Sequence, residues 1–159
     1  MERMGFEKSK SFTVNYNNTR VTATIGGKLC RFRSKLEHNY AVYLQFLKEQ
    51  KQIKDWNFEQ TNFIFETKAR GAKSFLVDFD VLNLDGTFEY HETKGWLQGT
   101  DVTKFRRVAK HWPKAKMTLI MSGKSKKDAD RLRQIAKYSE RIIYARELFD
   151  PLKGMLNFI

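Results

Sequence analysis

Two strand-like segments joined by a tight turn, Ser74 to Gly95 (SFLVDFDVLNLDGTFEYHETKG), bring together the residue types that phosphodiester cleavage needs. The first carries Asp78, the second Glu92 and Lys94, and an earlier segment adds Glu37. Carboxylates are hard oxygen donors suited to Mg²⁺, which keeps several of its waters when bound. A cation offsets charge on the phosphate, a held water can attack, and a lysine can orient that water or the phosphate. Glu92 and Lys94 are two apart, so on a strand they share a face.

Whether Asp78 joins them depends on the turn. A two-residue Asp85-Gly86 turn sets Asp78 opposite Thr93 and away from Glu92. A three-residue Leu84-Asp85-Gly86 loop, with Gly86 left-handed, sets Asn83 opposite Thr87 and Asp78 opposite Glu92. The site requires the second register. It also expects Phe75, Val77, Phe79 and Val81 to share one face against a helix layer, with Asp78 facing a cleft and an exposed Asp80 beside it.

The surrounding elements follow from periodicity and caps. FTVNYNNTRVTATI (12–25) reads as a hairpin turning at Asn17-Asn18, giving an N-terminal arm over 1–25, and Gly26-Gly27 then break the pattern before the main domain, 26–159. Ser34 and Glu37 match a capping box, opening a helix to about Gln52 with Leu36, Tyr40, Tyr43, Leu44 and Leu47 on its buried face. Trp56 to Glu66 reads as a strand whose aromatics change parity, which a bulge or bend near Thr61-Asn62 reconciles. Lys68 to Lys73 form a basic loop. A helix from Thr100 or Asp101 to Pro113 buries Val102, Phe105, Val108, Ala109 and Trp112 and turns Lys104, Arg107, Lys110 and His111 outward, with Arg106 at the margin. Met117 to Ser122 is a strand, Ser125 and Asp128 open another helix, and Ile142 to Tyr144 form an edge strand. The segment from Glu147 to Ile159 has no clear pattern. This order predicts an α/β fold with a mixed sheet between helices.

The chain has 159 residues, a length suited to one domain with its own core, and it contains no internal repeat or low-complexity linker. Its 30 Lys and Arg against 18 Asp and Glu give a net charge of +12, which favours a polyanionic partner such as nucleic acid or an anionic membrane surface. No apolar run is long enough for a membrane span, and the N-terminus lacks the apolar middle of a secretory signal. The single cysteine, Cys30, reads as a buried small hydrophobe in a reducing, cytoplasmic compartment.

VDFDVLNLDGTFEYHETKG resembles the PD-(D/E)XK nuclease signature, and more narrowly small phage and bacterial endonucleases related to phage endonuclease I, a Holliday-junction resolvase. FRSKLEHNYAVYL is similar to their first helix with its acidic residue, so the likeness runs from about Gly26 to Ser122. Val77 departs from it, standing where the signature usually has proline, a residue that supplies no ligand. The resemblance implies a restriction-endonuclease-like mixed β-sheet flanked by helices. It implies Asp78, Glu92 and the backbone carbonyl of Thr93 as ligands for Mg²⁺, with Mn²⁺ substituting, Lys94 as the catalytic lysine, and Glu37 as the helix carboxylate completing the site. It further implies in-line attack by a metal-bound water, 5′-phosphate products, branched DNA such as a four-way junction as substrate, a homodimer for paired cuts, and a host-cell cytoplasmic location if the protein is phage-encoded.

Plainer roles stand beside these. Glu37 is accounted for as a cap, Asp78 and Lys94 as a cross-strand charge pair, and His91 as a residue on the face away from Glu92. Trp96 and Trp112 could stack bases, although Trp112 has core spacing. Lys104, Arg107 and Lys110, with Arg33, Lys35 and the 68–73 loop as further candidates, are expected to contact DNA phosphates without reading sequence. The competing function is a non-catalytic DNA-binding protein on the same scaffold, and a third is an enzyme acting on RNA.

Overall fold

The structure, a computed structural model, describes residues 20–159, so the hairpin expected around Asn17-Asn18 lies outside the described residues. The first element is a different hairpin: β1 (Val21–Ile25) pairs antiparallel with β2 (Lys28–Phe32), Val21 opposite Phe32 and Ile25 opposite Lys28. Gly26 and Gly27, at φ +57 and +81, form its two-residue turn. Two successive left-handed residues match the right-handed strand twist, so the glycines continue the pattern they were expected to break, across the 25/26 junction.

Helix α1 (Lys35–Glu49) starts where the Ser34 side chain accepts the Glu37 N–H at 3.1 Å. The return bond differs from a capping box, because Glu37 Oε2 accepts the N–H of Arg33 at 2.7 Å instead of that of Ser34. The helix ends short of Gln52, where Lys51 turns left-handed at φ +58. After β3 (Asp55–Phe58), Glu59 at φ +53 breaks the strand ahead of β4 (Asn62–Ile64). That break explains the change of aromatic parity: β3 and β4 belong to different sheets.

The principal sheet has five strands in the order β3, β6 (Phe79–Leu82), β7 (Phe88–Lys94), β8 (Lys116–Met121), β9 (Arg141–Tyr144). The pairs β3/β6 and β6/β7 are antiparallel, whereas β7/β8 and β8/β9 are parallel. Parallel neighbours need crossovers, and these contain α2 (Gly99–His111) and α3 (Ala129–Ala136). The fold is therefore mixed α/β, with a five-stranded mixed sheet flanked by helices. Helix α4 (Ala145–Phe149) accounts for the start of the unassigned C-terminal segment. Phe149 there stacks on Phe158 at 4.7 Å, and Asn39 exchanges two hydrogen bonds with the main chain of Ile159.

Two apolar clusters pack on this sheet. One joins Tyr40, Ala41 and Leu44 of α1 to Trp56, Phe79, Val81 and Ile120. The other joins Val102, Phe105 and Val108 of α2 to Phe63, Phe75, Val77, Leu119 and Met121. Strand β8 feeds both, as a central strand covered on two faces must. Here one expectation is corrected. Phe75 and Val77 do not share a face with Phe79 and Val81, because the segment is not one strand: β5 (Ser74–Leu76) pairs with β4 in its own ribbon, and the chain bends at Val77 and Asp78 before β6 begins. Among the described residues no helix is long and apolar enough to cross a membrane.

The turn between β6 and β7 has the longer form. Phe79 faces His91 and Leu82 faces Phe88, Asn83 donates its N–H to Thr87 O at 2.8 Å, and Gly86 sits at φ +88. Nothing lies within 4 Å of where a Gly86 Cβ would sit, so the conformation alone demands glycine. Gly86→Ala should therefore destabilise the protein by about 1–2 kcal/mol in denaturant unfolding, and a neutral result would show that the loop can relax to another turn.

Candidate active site

Asp78 occupies the bend between β5 and β6, and the bend frees its main-chain groups from the sheet ladder. Its N–H donates to Glu92 Oε2 at 3.0 Å, and its carbonyl accepts the Glu59 N–H at 2.8 Å. Its carboxylate, 1% exposed with the residue, accepts the Thr93 N–H at 2.9 Å and the Thr93 hydroxyl at 2.7 Å on Oδ2. The register thus places Asp78 across from Glu92, and the bend turns its carboxylate toward Thr93. Lys94, next on the Glu92 face of β7, lies 3.2 Å from Glu92 Oε1 and 3.1 Å from Asp101 Oδ1. Asp101 is held because its other oxygen accepts the Gln98 N–H that opens α2, at 2.7 Å. Glu37, from the first turn of α1, reaches the same region.

Glu37, Thr93 and Lys94 line an open cleft of about 530 Å³, with Ser34, Trp96 and Asp101 also on its walls. Asp78 and Glu92 are buried against Thr93 and Lys94. Carboxylates outnumber cations here, since Glu37, Glu59, Asp78, Glu92 and Asp101 share Arg33 and Lys94. Burial, and then the charge of Asp78, push the Glu92 carboxyl up to about 8 and that of Glu37 up to about 7. Burial likewise raises Asp78, against the two Thr93 hydrogen bonds. For Lys94 burial works against the charge, but Glu92 and Asp101 outweigh it and hold the ammonium protonated.

Among the described residues, no group of three or more His, Cys, Asp or Glu side chains is gathered to hold a metal ion. A site of two carboxylates with a main-chain carbonyl falls below that count, and it is the sparse, all-oxygen donor set that Mg²⁺ accepts while keeping waters. Asp78, Glu92 and the Thr93 carbonyl fit such a cation in chemistry. The raised carboxyls agree with that fit, because added positive charge favours the ionised form of carboxyls that burial raises, and of Glu92 beside the charge of Asp78.

The other sequence-based expectations divide. Arg107 is not on the outer face of α2: it is buried, and its guanidinium donates to the carbonyls of Ala72 and, at 2.5 Å, Arg70, clamping the 70–72 loop. Arg106, placed at the margin, is the exposed one. Lys110 is exposed, and Lys104 lies over the Phe75 ring at 5.3 Å with its residue partly exposed. Arg33 is turned into the acidic cluster. Asp80, expected at the surface, is buried, with Oδ2 accepting the Thr61 hydroxyl at 2.6 Å. His91 points away from Glu92, buried between the Tyr40 hydroxyl at 2.7 Å and Glu89 at 3.1 Å, and burial pushes its pKa down. Cys30 and Trp112 pack with the two apolar clusters, and Trp96 is 64% exposed at the cleft.

Sequence reasoning missed the Thr93 side chain, Glu59 and Asp101. Asp101 had a signal, since it stands at the third helical position behind Gln98, where a carboxylate commonly reaches back to the cap. Glu59 had none, because a left-handed break without glycine leaves no composition cue. No family model, curated protein or solved structure matches this chain.

The raised carboxyls have a thermodynamic sign. Glu92 and Glu37 hold protons in the folded state up to about 8 and about 7, whereas their ordinary value is 4.5. Between those limits the folded state binds more protons than the unfolded one, so stability is greatest at the acid end and is lost as pH rises through the folded values. In EDTA, the melting temperature should fall between about pH 5 and pH 8.5, and Glu92→Gln should flatten the fall and melt about 3 °C or more above wild type at the alkaline end. A wild-type melting temperature that climbs across this window would contradict the assignment.

Proposed function

We propose that this protein is a Mg²⁺-dependent DNA endonuclease of the PD-(D/E)XK type, with Mn²⁺ able to replace Mg²⁺. The observation that carries the reading is the convergence of Asp78, Glu92 and Lys94 beside one cleft, which Lys94 lines and the two carboxylates lie buried behind, joined by the Asp78 N–H on Glu92 and the Lys94 ammonium on the same carboxylate. The antiparallel β6/β7 pair followed by parallel β7/β8 supports a restriction-endonuclease-like sheet. An ordinary cross-strand pair explains less, because Lys94 contacts Glu92 and Asp101, both of them buried, and not the Asp78 carboxylate.

Asp78, Glu92 and the Thr93 carbonyl would hold the cation, which supplies charge neutralisation at the scissile phosphate and an acidified water. Lys94 presents an ammonium at the cleft, fixed by two carboxylates, where it can hold a phosphate oxygen or orient the attacking water. Glu37 lines the same cleft with a carboxyl pushed up to about 7, suited to accepting and returning a proton near neutrality. Helix α2, beginning just beyond Lys94, offers Lys104, Arg106 and Lys110 to the DNA backbone, and the net charge of +12 favours that contact. Branched DNA, paired cuts by a homodimer and a cytoplasmic place of action extend the same reading from the family resemblance.

The test is cleavage of linear, flap and four-way-junction DNA, and of RNA, with Mg²⁺ or Mn²⁺. Wild type should nick DNA only with the cation, and Glu92→Ala or Lys94→Ala should lose at least about 100-fold in rate. Cation-dependent cleavage that survives Glu92→Ala refutes the site. Wild type that binds DNA and cuts nothing is a non-catalytic DNA-binding protein on this scaffold.

A further inference from the structure

Arg33 was expected to reach outward for DNA, yet its guanidinium points into the acidic cluster. Nη2 lies 3.2 Å from Asp78 Oδ1, Nε lies 3.6 Å from Glu37 Oε1, and Nη1 lies 2.5 Å from Glu59 Oε1. The side chain is nonetheless 49% exposed, so its path to solvent is open. A guanidinium cannot lose its proton, so it either balances these carboxylates or finds another anion.

The lone pairs of Asp78 show what is at stake. Both Thr93 bonds fall on Oδ2, and Arg33 is the partner of Oδ1. A divalent cation approaching Oδ1 with Arg33 in place would meet a positive charge a few ångströms away, a repulsion that a half-buried site screens poorly. Lys94 pairs with Glu92 and Asp101 instead of Asp78, and its side chain is 24% exposed against 49% for Arg33. Arg33 is therefore the freer of the two charges. Glu59 holds its outer edge, and the Glu59 main chain is bonded to the Asp78 carbonyl at 2.8 Å, so the guanidinium can leave Asp78 while it stays tethered beside it.

We infer that Arg33 couples cation binding to substrate binding: it neutralises Asp78 in the cation-free protein and turns to a nucleic-acid phosphate when a divalent cation takes over Asp78 Oδ1. This rests on the reading of Asp78 and Glu92 as cation ligands. Arg33 is then a positioning residue, and coupling is reciprocal, so a phosphate that draws Arg33 away tightens cation binding and the cation tightens substrate binding.

Two measurements that need no turnover test it. In calorimetric titration with Mn²⁺, Arg33→Gln should bind the ion at least about fivefold more tightly than wild type, Arg33→Lys should stay near wild type because it keeps the charge, and Glu92→Gln should bind much more weakly. Circular dichroism melts confirm that each variant is folded. In fluorescence anisotropy with a phosphorothioate duplex, the salt dependence of binding should be steeper for wild type than for Arg33→Gln by about one phosphate contact with Ca²⁺, and equal to it in EDTA. Mn²⁺ binding by wild type that Glu92→Gln weakens and Arg33→Gln leaves unchanged overturns the coupling and leaves the nuclease reading intact. So does a slope difference of the same size with and without Ca²⁺, which would make Arg33 a permanent DNA contact. Absence of Mn²⁺ binding by folded wild type, or binding that Glu92→Gln leaves unchanged, removes the cation site and the coupling with it.

Discussion

The site depends on the pair of ties between the bend at Asp78 and strand β7: the Asp78 N–H on Glu92, and the Asp78 carboxylate on the N–H and hydroxyl of Thr93. A strand that continued straight through Asp78 would spend its main-chain groups on the ladder. Here those groups are released, and each would carry a desolvation penalty if left bare. The Glu92 carboxylate accepts the Asp78 N–H, and the Glu59 N–H donates to the Asp78 carbonyl. The bend and the acidic residues therefore require each other. Glu92 is a partner the bend cannot do without, and the bend brings the Asp78 carboxyl to the strand that carries Glu92 and Lys94.

The same bend organises the core. On its N-terminal side Phe75 and Val77 pack with α2, and on its C-terminal side Phe79 and Val81 pack with α1. The chain passes from one apolar layer to the other at the residue whose carboxylate is the most buried of the cluster. Rigidity follows from this placement: two full-sized cores hold the ends of a segment only a few residues long. Glu37 and Lys94 are fixed from the two layers separately, Glu37 through the cap of α1 and Lys94 through Asp101 at the start of α2. The cleft lies where the ends of those helices meet the strand.

Much of this was legible in the sequence, and for local reasons. The turn at Gly86 was legible, but Asp85-Gly86 suits a two-residue turn as well, and the register of β6 against β7 came from the demand that Asp78 face Glu92. Cap and stripe patterns locate α1, α2 and β8, since they report on burial within one element. What failed to read depended on partners far along the chain. Phe75, Val77, Phe79 and Val81 have flawless alternation, and alternation carries no sign of a change of layer in its middle. Arg107 differs from Arg106 only by a carbonyl pair on a distant loop. Glu59 is drawn in by Arg33, a residue separated from it by a whole helix and strand.

An acidic cluster this poorly compensated is a poor choice for stability alone. Removing charged groups from water is costly, and replacing a buried ion network by apolar groups is often neutral or stabilising. The protein nonetheless keeps Asp78 and Glu92 buried side by side, where burial raises both carboxyls and the charge of Asp78 raises Glu92 further. Elsewhere it handles polar groups economically: His91 is neutral between Tyr40 and Glu89, and Arg107 is spent on two carbonyls. Asp80 is a further buried carboxyl that burial raises, but the Asp78–Glu92 pair alone of these borders an open cleft and a lysine. Buried, raised carboxyls beside an open cleft are the feature on which the proposed cation site rests. The surrounding cores, each dense with aromatic residues, supply the stability that lets the imbalance persist.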